Sequence, residues 1–179
     1  MLKNACCAIL GQSPMRFAWG FDEEDTDCKA MKLELLQQIM VLRQQGVTRF
    51  MVACDPGVGL YAAEAINALR ETDGNLMLFC VTPHEGQATK WAPYLRERYF
   101  TMLEKCTYLS MVNRHWEPDC QLTAYKRIID QSDVVLAVYD PASACGDESD
   151  HAMRYATEKR KPTVLIRPGN AGVTTYLNR

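Results

Sequence analysis

The chain has 179 residues, 47% hydrophobic and 23% charged, the balance of an ordinary globular protein. Lys and Arg total 20 against 22 Asp and Glu, a net charge of -2 that predicts no nucleic-acid partner, because phosphate binding normally leaves a basic excess. No run of about 18 apolar residues is present, which predicts no membrane contact, and the short apolar stretch before Gly11 is wrongly flanked for a secretory signal. One cytoplasmic domain spanning residues 1–179 is the expectation.

In chain order, Ala5–Leu10 reads as a first strand running into the bend Gly11-Gln12-Ser13-Pro14. The acidic run Asp22-Glu23-Glu24-Asp25 then precedes a helix whose Met31, Leu35, Ile39 and Leu42 share one face, with Asp25-Thr26-Asp27 as capping residues and Gly46 beyond its end. Arg49–Cys54 is a second strand, leading through Asp55-Pro56-Gly57-Val58-Gly59 straight into a helix over Val58–Arg70. A third strand, Leu76–Val81, is followed by His84 and by a helix that starts near Pro93. Tyr108–Val112 is the fourth strand, trailed by His115-Trp116 and a helix over Gln121–Asp130. Val134–Tyr139 is the fifth, with a polar loop from Ser143 to His151 and a helix over Ser149–Lys159, and Thr163–Ile166 is the sixth. Strands alternating with helices predict an α/β, Rossmann-like, doubly wound and mostly parallel sheet of six strands in the order 3-2-1-4-5-6, with helices on both faces.

The eight cysteines read as reduced thiols. Cys28, Cys54, Cys80 and Cys106 are spaced evenly by 26 residues, but their contexts differ and the spacing reads as chance. No Cys-x-x-Cys occurs and no local cluster of Cys and His supplies a metal site, so no metal and no cofactor are expected.

In a doubly wound sheet a ligand sits beyond the carboxyl ends of the strands, where strand order reverses. With the order above, the turns after strands 1 and 4 border that crevice. The amides of Gly11, Ser13, Gly57 and Gly59, with Gln12 and Asp55 in the same bends, are candidate contacts for an anionic group, and glycine there serves equally well as a plain turn residue. Arg16 offers a guanidinium for a phosphate, while His115 and Trp116 fall in the predicted crevice, where Trp116 either stacks on a base or plugs the core. Asp147, Glu148 and Asp150 are either acid, base or metal ligands, or favourable carboxylates at a helix start with Ser149 as its cap.

The string Gly11-Gln12-Ser13-Pro14 through Trp19-Gly20-Phe21-Asp22-Glu23-Glu24-Asp25 resembles the opening of the YpsA-like branch of the SLOG superfamily. The similarity continues through Gly57, Glu64, Arg70, Pro83, Gln87, Trp91, Arg98-Tyr99, His115-Trp116, Pro118-Asp119-Cys120, Asp130, Ala137-Val138-Tyr139-Asp140 and Tyr155-Ala156. The resemblance implies a Rossmann-like fold and a nucleotide or nucleotide-derived small molecule as partner. It departs where a ligand would be met. Gln12-Ser13 stands for a His-Arg pair, Gly57-Val58-Gly59 lacks the family's following carboxylate, Ala124-Tyr125 stands for Arg-Asn, and Asp147-Glu148-Ser149 for Gly-Gly-Thr. Three functions follow as expectations. The first is a binding or sensing protein without turnover. The second is a catalytically silent interaction protein, a homodimer with its pocket filled by Tyr125. The third is an N-glycosidic hydrolase of the phosphoribohydrolase type, with Glu148 or Asp150 as acid and Arg16 on the phosphate.

Overall fold

The computed structural model describes residues 3–169 and 174–177. Its elements are β1 (Ala5–Gly11), α1 (Thr26–Gln44), β2 (Val47–Val52), α2 (Val58–Arg70), β3 (Met77–His84), α3 (Pro93–Lys105), β4 (Tyr108–Asn113), α4 (Cys120–Asp130), β5 (Val134–Val138), α5 (Glu148–Glu158), β6 (Thr163–Ile166) and β7 (Thr174–Leu177). Helix starts follow local chemistry: the Asp25 carboxylate accepts the amides of Asp27 and Cys28 to open α1, and Pro93 occupies the first turn of α3. At α5 the cap is Asp147, which accepts the Asp150 amide; Ser149, the expected cap, instead donates its hydroxyl to Asp147.

The seven strands form one sheet in the order β4-β3-β2-β1-β5-β6-β7. All pairs are parallel except β6 with β7. Side chains alternate across the central strand. Cys7 and Ile9 of β1 pack with α1, α2 and α3, whereas Cys6, Ala8 and Leu10 pack with α4 and α5. The doubly wound α/β class therefore holds, with a seventh, antiparallel strand added after the Pro168-Gly169 turn.

The strand order 3-2-1-4-5-6 is corrected. Helices α1 to α3 share one face, so each crossover carries the sheet one strand further outward and β4 lands beside β3 at the edge. The chain returns only through α4, on the opposite face, to place β5 beside β1. Order thus reverses between β1 and β5, where Gly11 pairs with Val138, and the turns after these two strands border the crevice. Hydrophobic periodicity reports that a helix has a buried face, not which face of the sheet receives it.

The cysteines are free, and Cys80 lies against both Cys54 and Cys106. Three members of the evenly spaced set therefore converge from just past β2, from β3 and from just past α3, which the differing contexts did not suggest.

Candidate functional site

At the point of reversal, Gln12 is buried and ties the two central strands together. Its backbone amide donates to the Val138 carbonyl at 3.0 Å, and its side-chain carbonyl accepts the Asp140 amide at 2.8 Å. Ser13 is exposed and accepts the Met15 amide as the cap of a short 3-10 turn over Pro14–Arg16. That turn aims the Arg16 side chain, only 9% exposed, across the crevice into the β5–α5 loop.

There the guanidinium meets the protein's own carboxylates. Arg16 Nη1 donates to Asp150 Oδ1 at 2.9 Å, to Asp147 Oδ1 at 3.1 Å and to the Ser149 hydroxyl at 2.8 Å, while Nη2 reaches the Ser143 hydroxyl at 3.2 Å. The ring of Tyr139 lies under the guanidinium, and its hydroxyl donates to Asp150 Oδ1 at 2.6 Å. The other Asp150 oxygen accepts the Cys145 and Gly146 amides at 2.7 and 2.6 Å. Burial opposes ionisation of Asp150. The Tyr139 hydroxyl, the two amides and Arg16 outweigh it and hold the carboxyl well below the usual range. Asp147 is lowered in the same way: burial is outweighed by Ser149, the Asp150 amide and Arg16. Glu148, between them in sequence, is exposed. Cys145, Asp147 and Asp150 bring ligand atoms within 4.8 Å of one another, but a cation there would meet the guanidinium already seated on both carboxylates.

The glycines of the two bends are filled against by the chain itself. A Cβ at Gly11 would lie 2.3 Å from Val58 Cβ, one at Gly57 2.8 Å from Pro14 Cγ, and one at Gly59 2.3 Å from Asp55 Oδ1. Close approach is thus between β1, α2 and the 3-10 turn. Asp55 Oδ2 accepts the Gly59 amide at 3.0 Å, taking the place at the α2 start that an external anion would occupy. Beside it, Gln87 donates to the Cys54 carbonyl at 3.0 Å, Gln121 approaches the Ala53 carbonyl, and Tyr125 is 5% exposed. Among the described residues, three buried polar atoms around this crevice have no hydrogen-bond partner: Arg16 Nε, Asp55 Oδ1 and Gln87 Oε1.

Burial raises the pKa of Asp55, against the pull of the Gly59 amide and the nearby Tyr125 hydroxyl. A carboxyl raised on folding favours the native state below its unfolded pKa near 4 and loses that contribution as pH rises through its folded value. Asp55→Asn keeps an acceptor for Gly59 and carries no charge. Its melting temperature relative to wild type is expected to rise as pH goes from 4 to 7. A difference that falls over that range would mean Asp55 is ionised and paired.

His115 and Trp116 are displaced from the expected crevice. Both are exposed, Trp116 by 66%, beyond β4 at the sheet edge, because β4 pairs with β3 and not with β1. Gln87, Gln121 and Tyr139 were not read as site residues. Gln87 and Tyr139 had only their place in the family pattern as a signal, and Gln121 only its position at the start of α4. Several family-like residues are structural: Arg98 bridges Glu23 and Glu64, and Trp19 stacks on Phe17 with ring centres 4.6 Å apart. Five of the surface cavities among the described residues lie elsewhere and are lined by none of the candidate ligand contacts.

With this geometry in hand, the chain can be placed among known proteins. The family model described as the YspA SLOG family matches residues 7–170. A UPF0398 protein of Halalkalibacterium halodurans is 32% identical over 106 residues, which are 58% of this chain and 56% of that protein, so this match spans little more than half of the relative. The UPF0398 protein YpsA of Bacillus subtilis is 28% identical over 156 residues, 86% of this chain and 84% of its own length. Among solved structures, DNA processing protein A of Helicobacter pylori superposes with a TM-score of 0.60 at 15% identity, covering 92% of this chain and 66% of that one. That structure is described for its single-stranded DNA binding mode. The exclusion of nucleic acid drawn from net charge is therefore withdrawn, since a protein of this fold has such a partner. No helix among the described residues is long and apolar enough to cross a membrane.

Proposed function

The chain belongs to the YspA SLOG family, and from that premise we propose that it is a catalytically silent member that works through its surface, its carboxyl-end crevice being closed by its own side chains. The observation that carries this reading is Arg16, the cation best placed for a phosphate, seated on Asp147 and Asp150. A nucleotide phosphate would have to displace both carboxylates and would leave the buried Asp150 and the partly buried Asp147 without their cation. Phosphoribohydrolase chemistry fits poorly for the same reason: an Asp150 held ionised has no proton to give a leaving base, and Glu148 lies exposed on the first turn of α5. Eight unpaired cysteines suit a reducing, cytoplasmic setting.

One observation favours a second reading, binding of a small polar or nucleotide-derived molecule without turnover. The orphaned Asp55 Oδ1 and Gln87 Oε1 are acceptors of the kind that a ligand donor or a water satisfies. Thermal unfolding with nucleoside monophosphates, ADP-ribose and nicotinamide dinucleotides separates the two. The closed crevice predicts no shift with any of them. A ligand at about 100 times Kd would add roughly 2.7 kcal/mol, which for a chain of this size is at least about 5 °C. A shift of that size, lost in Asp55→Asn, would replace the first reading with the second.

A further inference from the structure

We infer that β4 is the contact strand of a homodimer in which two copies join edge to edge into one continuous sheet. The inference names the partner of the surface-acting protein proposed above and rests on that reading. Among the described residues β4 ends the sheet, with β3 on one side and no strand on the other. Exposed edges are normally blunted by a charge, a proline or a bulge. The sequence Tyr108-Leu109-Ser110-Met111-Val112-Asn113 has no charge and no proline, and its register against β3 records no bulge. Tyr108, Leu109 and Met111 are 61%, 47% and 42% exposed, which is unusual for a strand of a parallel sheet.

The strand is self-complementary. Leu109 and Met111 share the face toward α3, and Tyr108 and Val112 share the other. An antiparallel pair centred on Ser110 sets Leu109 opposite Met111 of the second copy on one face, and Tyr108 opposite Val112 on the other. Each is an apolar pair at the usual 4.5–5.5 Å cross-strand spacing, and the small Ser110 meets itself at the two-fold axis. On the α3 side a groove of about 570 Å³, lined in part by Phe100, Leu103, Leu109 and Met111, lies beside this strand, where the second copy would cover it.

The area is sufficient. At roughly 200 Å² per large free side chain, the exposed fractions of Phe100 (56%), Tyr108, Leu109 and Met111 leave about 400 Å² of apolar surface per copy. A stable dimer buries about 800 Å² per partner, a little over half of it apolar. The strand backbone and the exposed Glu85 and Arg114 supply a polar rim.

Analytical ultracentrifugation of the full chain should give twice the 20.3 kDa chain mass at micromolar concentration. Met111→Lys, at an exposed position, should fold with an unchanged circular-dichroism spectrum and weaken the dimer by roughly tenfold or more. Ser110→Cys should form a covalent dimer under mild aerobic oxidation, because directly opposed antiparallel residues lie within disulfide range. Thr101→Cys, exposed on α3, should not. A chain that is monomeric at every concentration, or a dimer indifferent to both β4 variants, would overturn the assignment. Neither result bears on the ligand titrations, so failure of the interface and failure of the closed-crevice reading are separately visible.

Discussion

Replacing Arg16 with Met is expected to destabilise the fold by about 3–5 kcal/mol, a fall in melting temperature of around 10 °C. The side chain is 9% exposed and its partner Asp150 6%, so removing the guanidinium strands a buried carboxylate and does not merely free a surface pair. The sign with pH follows from the partners. Asp147 and Asp150 are both lowered on folding, so their contribution is complete above the unfolded carboxylate pKa near 4 and is lost as pH falls through their folded values. The gap between wild type and Arg16→Met should therefore be widest near neutrality and narrow below pH 4. Denaturant titrations at pH 7 and pH 3 check both statements. A variant as stable as wild type would mean that the guanidinium is held for something outside the chain.

Gly11→Ala is expected to cost about 3 kcal/mol without touching any ligand chemistry. The new methyl would lie 2.3 Å from Val58 Cβ and 2.4 Å from Cγ2, and Val58 sits on the first turn of α2 where its backbone is fixed. Relief requires β1 and α2 to separate by a substantial fraction of an ångström at the centre of the sheet, where packing has little slack. A glycine kept for a bound phosphate behaves differently: alanine there leaves the melting temperature nearly unchanged and abolishes the ligand-induced shift. Unfolding of the apo protein distinguishes the two, and an apo change under about 0.5 kcal/mol would contradict the packing account.

Much of the architecture was legible because it rests on local signals. Asp25 and Pro93 mark helix starts, and the i, i+4 spacing of Met31, Leu35 and Ile39 marks a buried face. The place of β4 was not legible, since it depends on α4 crossing the opposite face of the sheet from α1, α2 and α3. That error moved the crevice and, with it, His115 and Trp116. The bends at Gly11 and Gly57 were located correctly, but a glycine that admits a ligand and one that admits a neighbouring side chain are identical in sequence. Arg16 was singled out for its charge. Its partners lie 131 and 134 residues away, a separation across which no spacing rule operates. Asp147 carried part of the clue, because by the resemblance it stands where glycine is usual, whereas Asp150 lies outside that stretch and had no such signal.

The central claim is that Arg16 serves the fold through Asp147 and Asp150. A double-mutant cycle on Arg16→Met and Asp150→Asn, read by urea unfolding at pH 7, tests it most directly. The account predicts that the double variant loses at least 1.5 kcal/mol less than the sum of the singles. Additivity within about 0.5 kcal/mol, with a nucleoside monophosphate stabilising the wild type but not Arg16→Met, would contradict it.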